Sequence, residues 1–441
     1  MWGARVHFLA FMTPAASSSP PTASTLTVTE FSPEVSRQAA RTTRALLDAL
    51  PPIKSSDCTI HLWDGTSYPD AAPRACTISL HHPGSLRAMF ERQDALNLAE
   101  AYLFDHFDFE GDLSALFGLS EEMARLQLPP LKKMQLASLL FRLPRTHAKR
   151  PRRWRERAHL SGKPHSIERD KAAVAYHYNV ATEFYAAFLD RNMVYSCGIF
   201  EDENESLDDA QVRKLDDVCQ QLKLQPGQKL LDVGCGWGGL MIHAAKNYGV
   251  EATGITLSGP QADEANTRIQ AAGLEGRCRA IVADYREISD FESFDAIASI
   301  EMFEHVGREM LTTYFSQALR LLKKGGLFLN QGTTVETDDA KRRYPAFIKQ
   351  YVFPDGEVLP IHVSIRASEE SGFEVLNVRS LRMHYAKTCF HWVKNLEKSH
   401  ERALEFVGEP TWRVWRLYTA VSGHGFQIGR LNCYQTLMRK N

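Results

Sequence analysis

An α/β protein, doubly wound about a mostly parallel sheet and preceded by a smaller α+β domain, is the fold class that the sequence predicts. Past Asp170, short apolar runs alternate with amphipathic helical stretches, the signature of βαβ units. One of those runs passes through a Gly-rich turn directly into a helical pattern. From Thr59 to Phe117, short strand-like runs mix with helix-like ones instead, which sets an N-terminal domain apart.

A chain of 441 residues exceeds what one hydrophobic core usually serves. Its 44% hydrophobic and 24% charged residues are ordinary for a globular protein and argue against a fibrous or disordered chain. The formal net charge of −1 argues against a surface coated in one sign of charge. The eight cysteines form no CxxC pair and no zinc-like cluster, so they read as reduced thiols in a cytosol-like compartment, and no metal site is expected. No apolar run is long enough to span a bilayer.

Taken in order, residues 1–28 are Ser-, Pro- and Ala-rich with Arg5 as their one charged side chain, and read as a leader, an unstructured tail, or a stretch before a start at Met12. Residues 29–144 form the expected α+β domain, with strand-like 77–81 and helical patterns at 86–103 and 121–143. A basic, Pro-punctuated linker follows at 145–170, carrying Arg145, Lys149, Arg150, Arg152, Arg153, Arg155 and Arg157 against Glu156. The remaining domain, 171–441, has its strand candidates at 229–233, 251–255, 279–282, 294–300 and 326–329.

The first of these runs into Asp232-Val233-Gly234-Cys235-Gly236-Trp237-Gly238-Gly239. Glycines there let the backbone turn tightly and approach a ligand closely. A dinucleotide site would want G-x-G-x-x-G and an acid ending the second strand to hold the ribose. This chain has Thr256-Leu257-Ser258 there, with Gln261 following. Ala283-Asp284-Tyr285-Arg286 ends the third run, with acceptors on Asp284 and an aromatic face on Tyr285.

These three segments resemble the motifs of the cyclopropane fatty acid synthase family, a Rossmann-like class I methyltransferase fold. The likeness extends through His177-Tyr178-Asn179, Tyr195-Ser196-Cys197, Glu301-Met302-Phe303-Glu304-His305-Val306-Gly307 and Tyr385, and back to 97–102 and 111–113. It implies S-adenosylmethionine as cofactor, held by Tyr195, Ser196, Asp232, Gly234, Cys235, Gly236, Trp237, Gly238, Thr256, Leu257, Gln261, Asp284, Tyr285 and Arg286. It implies methyl transfer to the cis double bond of a phospholipid acyl chain, followed by ring closure.

In that chemistry the alkene itself is the nucleophile, and the protein must manage a cation. Faces such as Tyr178, Tyr195, Phe303 and Tyr385 are candidates to stabilise it. The resemblance further implies a bicarbonate base held at Cys197, Glu304, Gln331, Thr333 and Tyr385, with Glu304 accepting its proton and Tyr385 donating. Here the sequence departs from the family. Gln331 stands where a histidine is usual and Thr333 where an aliphatic residue is, and an amide cannot relay a proton as imidazole does. Ser422 occupies a position where many members carry cysteine, so no thiol nucleophile is expected.

The expected partners are acyl chains at a peripheral membrane surface, reached from the cytoplasm through the N-terminal domain and the basic linker; nucleic acid is not expected and a homodimer is left open. Three rival readings stand beside cyclopropanation. They are a methylene- or methyl-branched product, a small-molecule N-methyltransferase, and a catalytically silent lipid sensor that keeps the cofactor.

Overall fold

The computed structural model describes residues 31–92, 94–145, 156–337 and 345–441. The expected leader and the centre of the basic linker, 146–155, lie outside the described residues. The chain divides into two compact units, one reaching to residue 154 and the other running from 155 onward, with 345–347 clustering with the first.

The smaller unit carries a four-stranded sheet of order β2-β1-β3-β4, built from β1 (Cys58–His61), β2 (Ser67–Tyr68), β3 (Cys76–Leu80) and β4 (Phe107–Gly111). Strands β1 and β3 run parallel and the other pairings are antiparallel. The pattern expected as one helix over 86–103 is two, Ser85–Phe90 and Ala95–Leu103, the second restarted where Asp94 caps the Asn97 amide at 2.6 Å. The pattern at 121–143 also divides, into Leu113–Arg125 and Pro130–Arg142, because Pro129 and Pro130 cannot continue the first helix but suit the start of the second.

In the larger unit, β5 (Lys229–Val233), β6 (Glu251–Thr256), β7 (Cys278–Val282), β8 (Phe294–Ile300), β9 (Leu322–Val335), β11 (Phe373–Ser380) and β12 (Leu431–Lys440) form a sheet of order β11-β12-β9-β8-β5-β6-β7. The short β10 (Leu359–Pro360) pairs with β9 off this path. From β7 to β9 the neighbours are parallel, and β12 runs antiparallel to both β9 and β11. Central strands covered on both faces read as unbroken apolar runs. Leu230, Leu231, Ile297 and Ala298 are accordingly fully buried. Strand order reverses between β6-β5 and β5-β8, and in such sheets ligands bind at the carboxyl ends beside that reversal.

Residues 156–170, expected as linker, are bonded into the larger unit. Ala158 donates to the Gln350 carbonyl at 2.8 Å, and Arg169 forms an ion pair with Asp355.

Candidate active site

The carboxyl ends of β5, β6, β7 and β8 each deliver one segment to a single cavity of about 150 Å³. After β5 the backbone turns through Gly234 at φ +85° and Gly236 at φ +53°. The Gly234 and Cys235 amides bond to the Ile255 carbonyl at 2.9 and 3.0 Å, tying the turn to β6. A Cβ on Gly234 would come within 3.0 Å of Met302, whereas one on Gly236 would meet no protein atom within 4 Å. Gly236 therefore leaves its open side to a ligand. Gly238 lies off the cavity and begins the helix Gly239–Tyr248.

Of the other residues expected to hold the cofactor, Tyr195, Ser196, Asp232, Cys235, Trp237, Thr256, Leu257, Gln261, Asp284 and Tyr285 border this cavity. Thr256 and Gln261 brace each other through a 2.8 Å hydrogen bond. Arg286 does not border it. Its guanidinium takes both oxygens of Asp284, at 2.6 Å each, and reaches Asp170 at 2.9 Å. Arg286 thus fixes the β7 loop from behind, and the acceptors that Asp284 was expected to offer are engaged by it.

Asp232 is buried and its Oδ2 has no hydrogen-bond partner among the described residues. Burial pushes its carboxyl up to about 7, against the pull of the Lys214 ammonium. Lys214, from the helix Leu207–Gln221, borders the same cavity and donates to the Ser196 hydroxyl at 3.0 Å. A buried carboxylate oxygen without a partner, a buried ammonium and an open glycine turn fit the zwitterionic amino-acid end of S-adenosylmethionine.

The five residues expected to do chemistry sit apart from the cavity lining, behind a sixth that does border it. Glu301 follows β8 directly, at φ +57°. Its Oε1 accepts from Gln331 Nε2 at 2.8 Å and from the Cys433 thiol at 3.2 Å, and its Oε2 accepts from the Thr333 hydroxyl at 3.1 Å. Gln331 in turn accepts from Gln435 Nε2 at 2.9 Å.

Glu304 is half-buried and accepts from the Thr333 amide, with its Oε2 out of contact with solvent. Burial and the neighbouring Glu301 carboxylate raise its pKa well above the usual range, which favours its neutral form. Cys197 is buried and its thiol turns to the Gly198 carbonyl at 3.2 Å. The Tyr385 ring stacks on Phe426 with centroids 4.4 Å apart. Among the aromatic candidates, Tyr178 and Tyr195 face the cavity, and Phe303 packs into the core beneath the sheet. His305 also borders it, its imidazole kept neutral by burial with a pKa of about 4.

Sequence reasoning assigned no role to Glu301, Cys433, Gln435 or Lys214. For Glu301 the signal was present, an acid ending the apolar run 294–300 at the ligand-binding edge of a parallel sheet.

The model for the mycolic acid cyclopropane synthetase family matches residues 165–436. A probable fatty acid methyltransferase of Pseudomonas putida is 34% identical, over 90% of this chain and 95% of that protein. The cyclopropane synthase MmaA2 from Mycobacterium tuberculosis superposes with a TM-score of 0.58 at 30% identity, covering 61% of this chain and 98% of that one. CmaA1, a mycolic acid cyclopropane synthase solved with SAH and CTAB, gives the same TM-score at 32% identity, covering 61% of this chain and 98% of its own. With the strand order, the glycine turn and the family match in agreement, the chain belongs to the mycolic acid cyclopropane synthetase family and is an S-adenosylmethionine-dependent methyltransferase.

Proposed function

We propose that the enzyme methylates the cis double bond of an unsaturated phospholipid acyl chain and closes a cyclopropane across it. The observation that carries this reading is the shared cavity. The aromatic faces of Tyr178 and Tyr195 and the carboxylate of Glu301 all open onto the space beside the glycine turn. When bound, S-adenosylmethionine supplies an electrophilic methyl group. Aromatic faces and a carboxylate suit the alkyl cation that an alkene becomes on methylation, each desolvated aromatic contact contributing on the order of 1–2 kcal/mol.

A methylene-branched product is the second reading. It is supported by the Pseudomonas putida relative, named as a probable fatty acid methyltransferase, and by the replacement of the usual histidine with Gln331. That relative's match over 90% of this chain, smaller unit included, weighs against a small-molecule N-methyltransferase.

Among the described residues no helix is long and apolar enough to cross a membrane. A surface mode of lipid access is supported by the helix Pro130–Arg142, which exposes Leu131, Met134 and Phe141 beside Lys132 and Lys133. Mass spectrometry of phospholipids from cells expressing the protein tests the function: a one-methylene gain on unsaturated acyl chains is the expected result, and unaltered lipids refute it. NMR of that product separates the readings, since upfield cyclopropane methylene protons mean closure and vinylic methylene protons alone mean the branch.

A further inference from the structure

Resting on the reading of the site as an alkene methylase, we propose that Glu301 is the general base of the reaction, a resident carboxylate in the role that the family resemblance gives to bicarbonate. Glu301 is the carboxylate of the Glu301–Glu304 pair that borders the cavity. Its backbone adopts a left-handed conformation that costs a non-glycine residue strain. Its amide is held by the Gln331 carbonyl at 2.8 Å.

Three side chains aim the carboxylate: Gln331 and Cys433 on one oxygen, Thr333 on the other. Gln331 and Thr333 are also the two expected bicarbonate positions at which the sequence departs from the family pattern, so these departures and the extra carboxylate form one unit. Two donors among the residues expected to hold bicarbonate already have protein partners. The Gln331 amide serves Glu301, and the Thr333 backbone amide serves Glu304. Of the pair, Glu301 borders the cavity and Glu304 does not, so Glu301 is the carboxylate placed to reach a substrate proton there.

The electrons balance with no further reactant. The alkene π pair bonds to the methyl carbon as the carbon–sulfur pair leaves on sulfur, placing positive charge on the other alkene carbon. Glu301 takes one proton from the added methyl, and the released carbon–hydrogen pair closes the ring. If a hydride first moves from the methylated carbon to its cationic neighbour, loss of the same proton leaves an exocyclic methylene instead. In both cases the proton rests on Glu301 and passes to water as product leaves.

The test uses the full-length enzyme and vesicles of cis-monounsaturated phosphatidylglycerol in carbon-dioxide-free buffer. Turnover of the native enzyme is expected to be the same with and without millimolar sodium bicarbonate. Glu301→Gly, which relieves the backbone strain and leaves a carboxylate-sized gap, is expected to lose about 100-fold or more in turnover. Its calorimetric affinity for S-adenosylmethionine should match the native value, and added bicarbonate should restore part of the lost rate. A native enzyme that stalls without bicarbonate and recovers with it would overturn the proposal and needs no variant. So would a Glu301→Gln enzyme that keeps native turnover. If the native enzyme methylates no lipid with bicarbonate present, the functional reading itself fails, and this assignment falls with it.

Discussion

Asp232 and Lys214 meet the same cavity with opposite burdens, since burial disfavours the charged form of each. A cationic ligand group at Asp232 Oδ2 requires the ionised carboxylate, whose folded-state pKa of about 7 lies far above the ordinary 3.8. Affinity for S-adenosylmethionine should therefore be full above pH 7 and fall as pH drops through that value, by up to about tenfold per pH unit. Calorimetric titration from mildly alkaline to mildly acidic buffer measures this, and Asp232→Asn should bind weakly with a flat profile. Linkage sets the opposite sign for stability of the free protein: this carboxyl contributes most below 3.8, and the contribution is lost as pH rises towards 7. Lys214→Met keeps the side-chain volume but removes the donor to Ser196. It should weaken the cofactor about tenfold, as expected for a charge-assisted hydrogen bond, with little change in turnover at saturating cofactor. Native affinity in Lys214→Met would make the lysine a packing residue only.

The elements explain why parts of this site were legible and others were not. Strands β5 to β8 were anticipated within about one residue because buried parallel strands announce themselves as apolar runs, and the cofactor segments sit at their ends. Strand β9 was expected only over 326–329, but it extends over Leu322–Val335, because Asn330, Gln331 and Thr334 are buried polar residues that break the apolar pattern. Strands β11 and β12 were not anticipated, being polar in much of their length. Register hid the rest: β12 places Cys433 opposite Thr333 and Gln435 opposite Gln331, and β8 places Ile300 opposite Gln331, so the partners of Glu301 reach it from two strands, β9 and β12, remote in sequence from β8. Gln331→Leu would deprive Glu301 of one donor and leave the buried Gln435 amide without this acceptor. Unpaired buried polar groups cost about 1–3 kcal/mol. The variant should unfold at lower denaturant by that amount and turn over more slowly, with cofactor affinity unchanged, because Gln331 does not border the cavity. Native stability and turnover together would show that the three-strand network is dispensable.

For the molecule as a whole, the residues that border the cavity all belong to the larger unit, and the proposed function would leave lipid capture to the smaller one. The smaller unit then needs a reason to carry an exposed apolar helix face. In the helix Pro130–Arg142, Leu131 and Met134 are each 68% exposed and Phe141 is 51% exposed, a pattern that a self-contained domain would ordinarily bury. Arg145 and Arg157, the described ends of the basic cluster, are engaged with Glu91 and with the Tyr351 hydroxyl, and Lys132 and Lys133 sit on the apolar helix itself. Burying a leucine- or methionine-sized side chain contributes about 1.5–3 kcal/mol, and each basic residue near an anionic leaflet contributes about 1 kcal/mol, screened by salt. Leu131→Asp combined with Met134→Asp should thus weaken vesicle binding at least tenfold on anionic and neutral lipid alike. Lys132→Ser with Lys133→Ser should weaken it mainly on anionic lipid and flatten its salt dependence. Both pairs should bind S-adenosylmethionine as the native enzyme does, since none of these residues borders the cavity. Vesicle co-sedimentation across a salt series measures all of this, and unchanged sedimentation of the aspartate pair would place membrane contact on another surface of the protein.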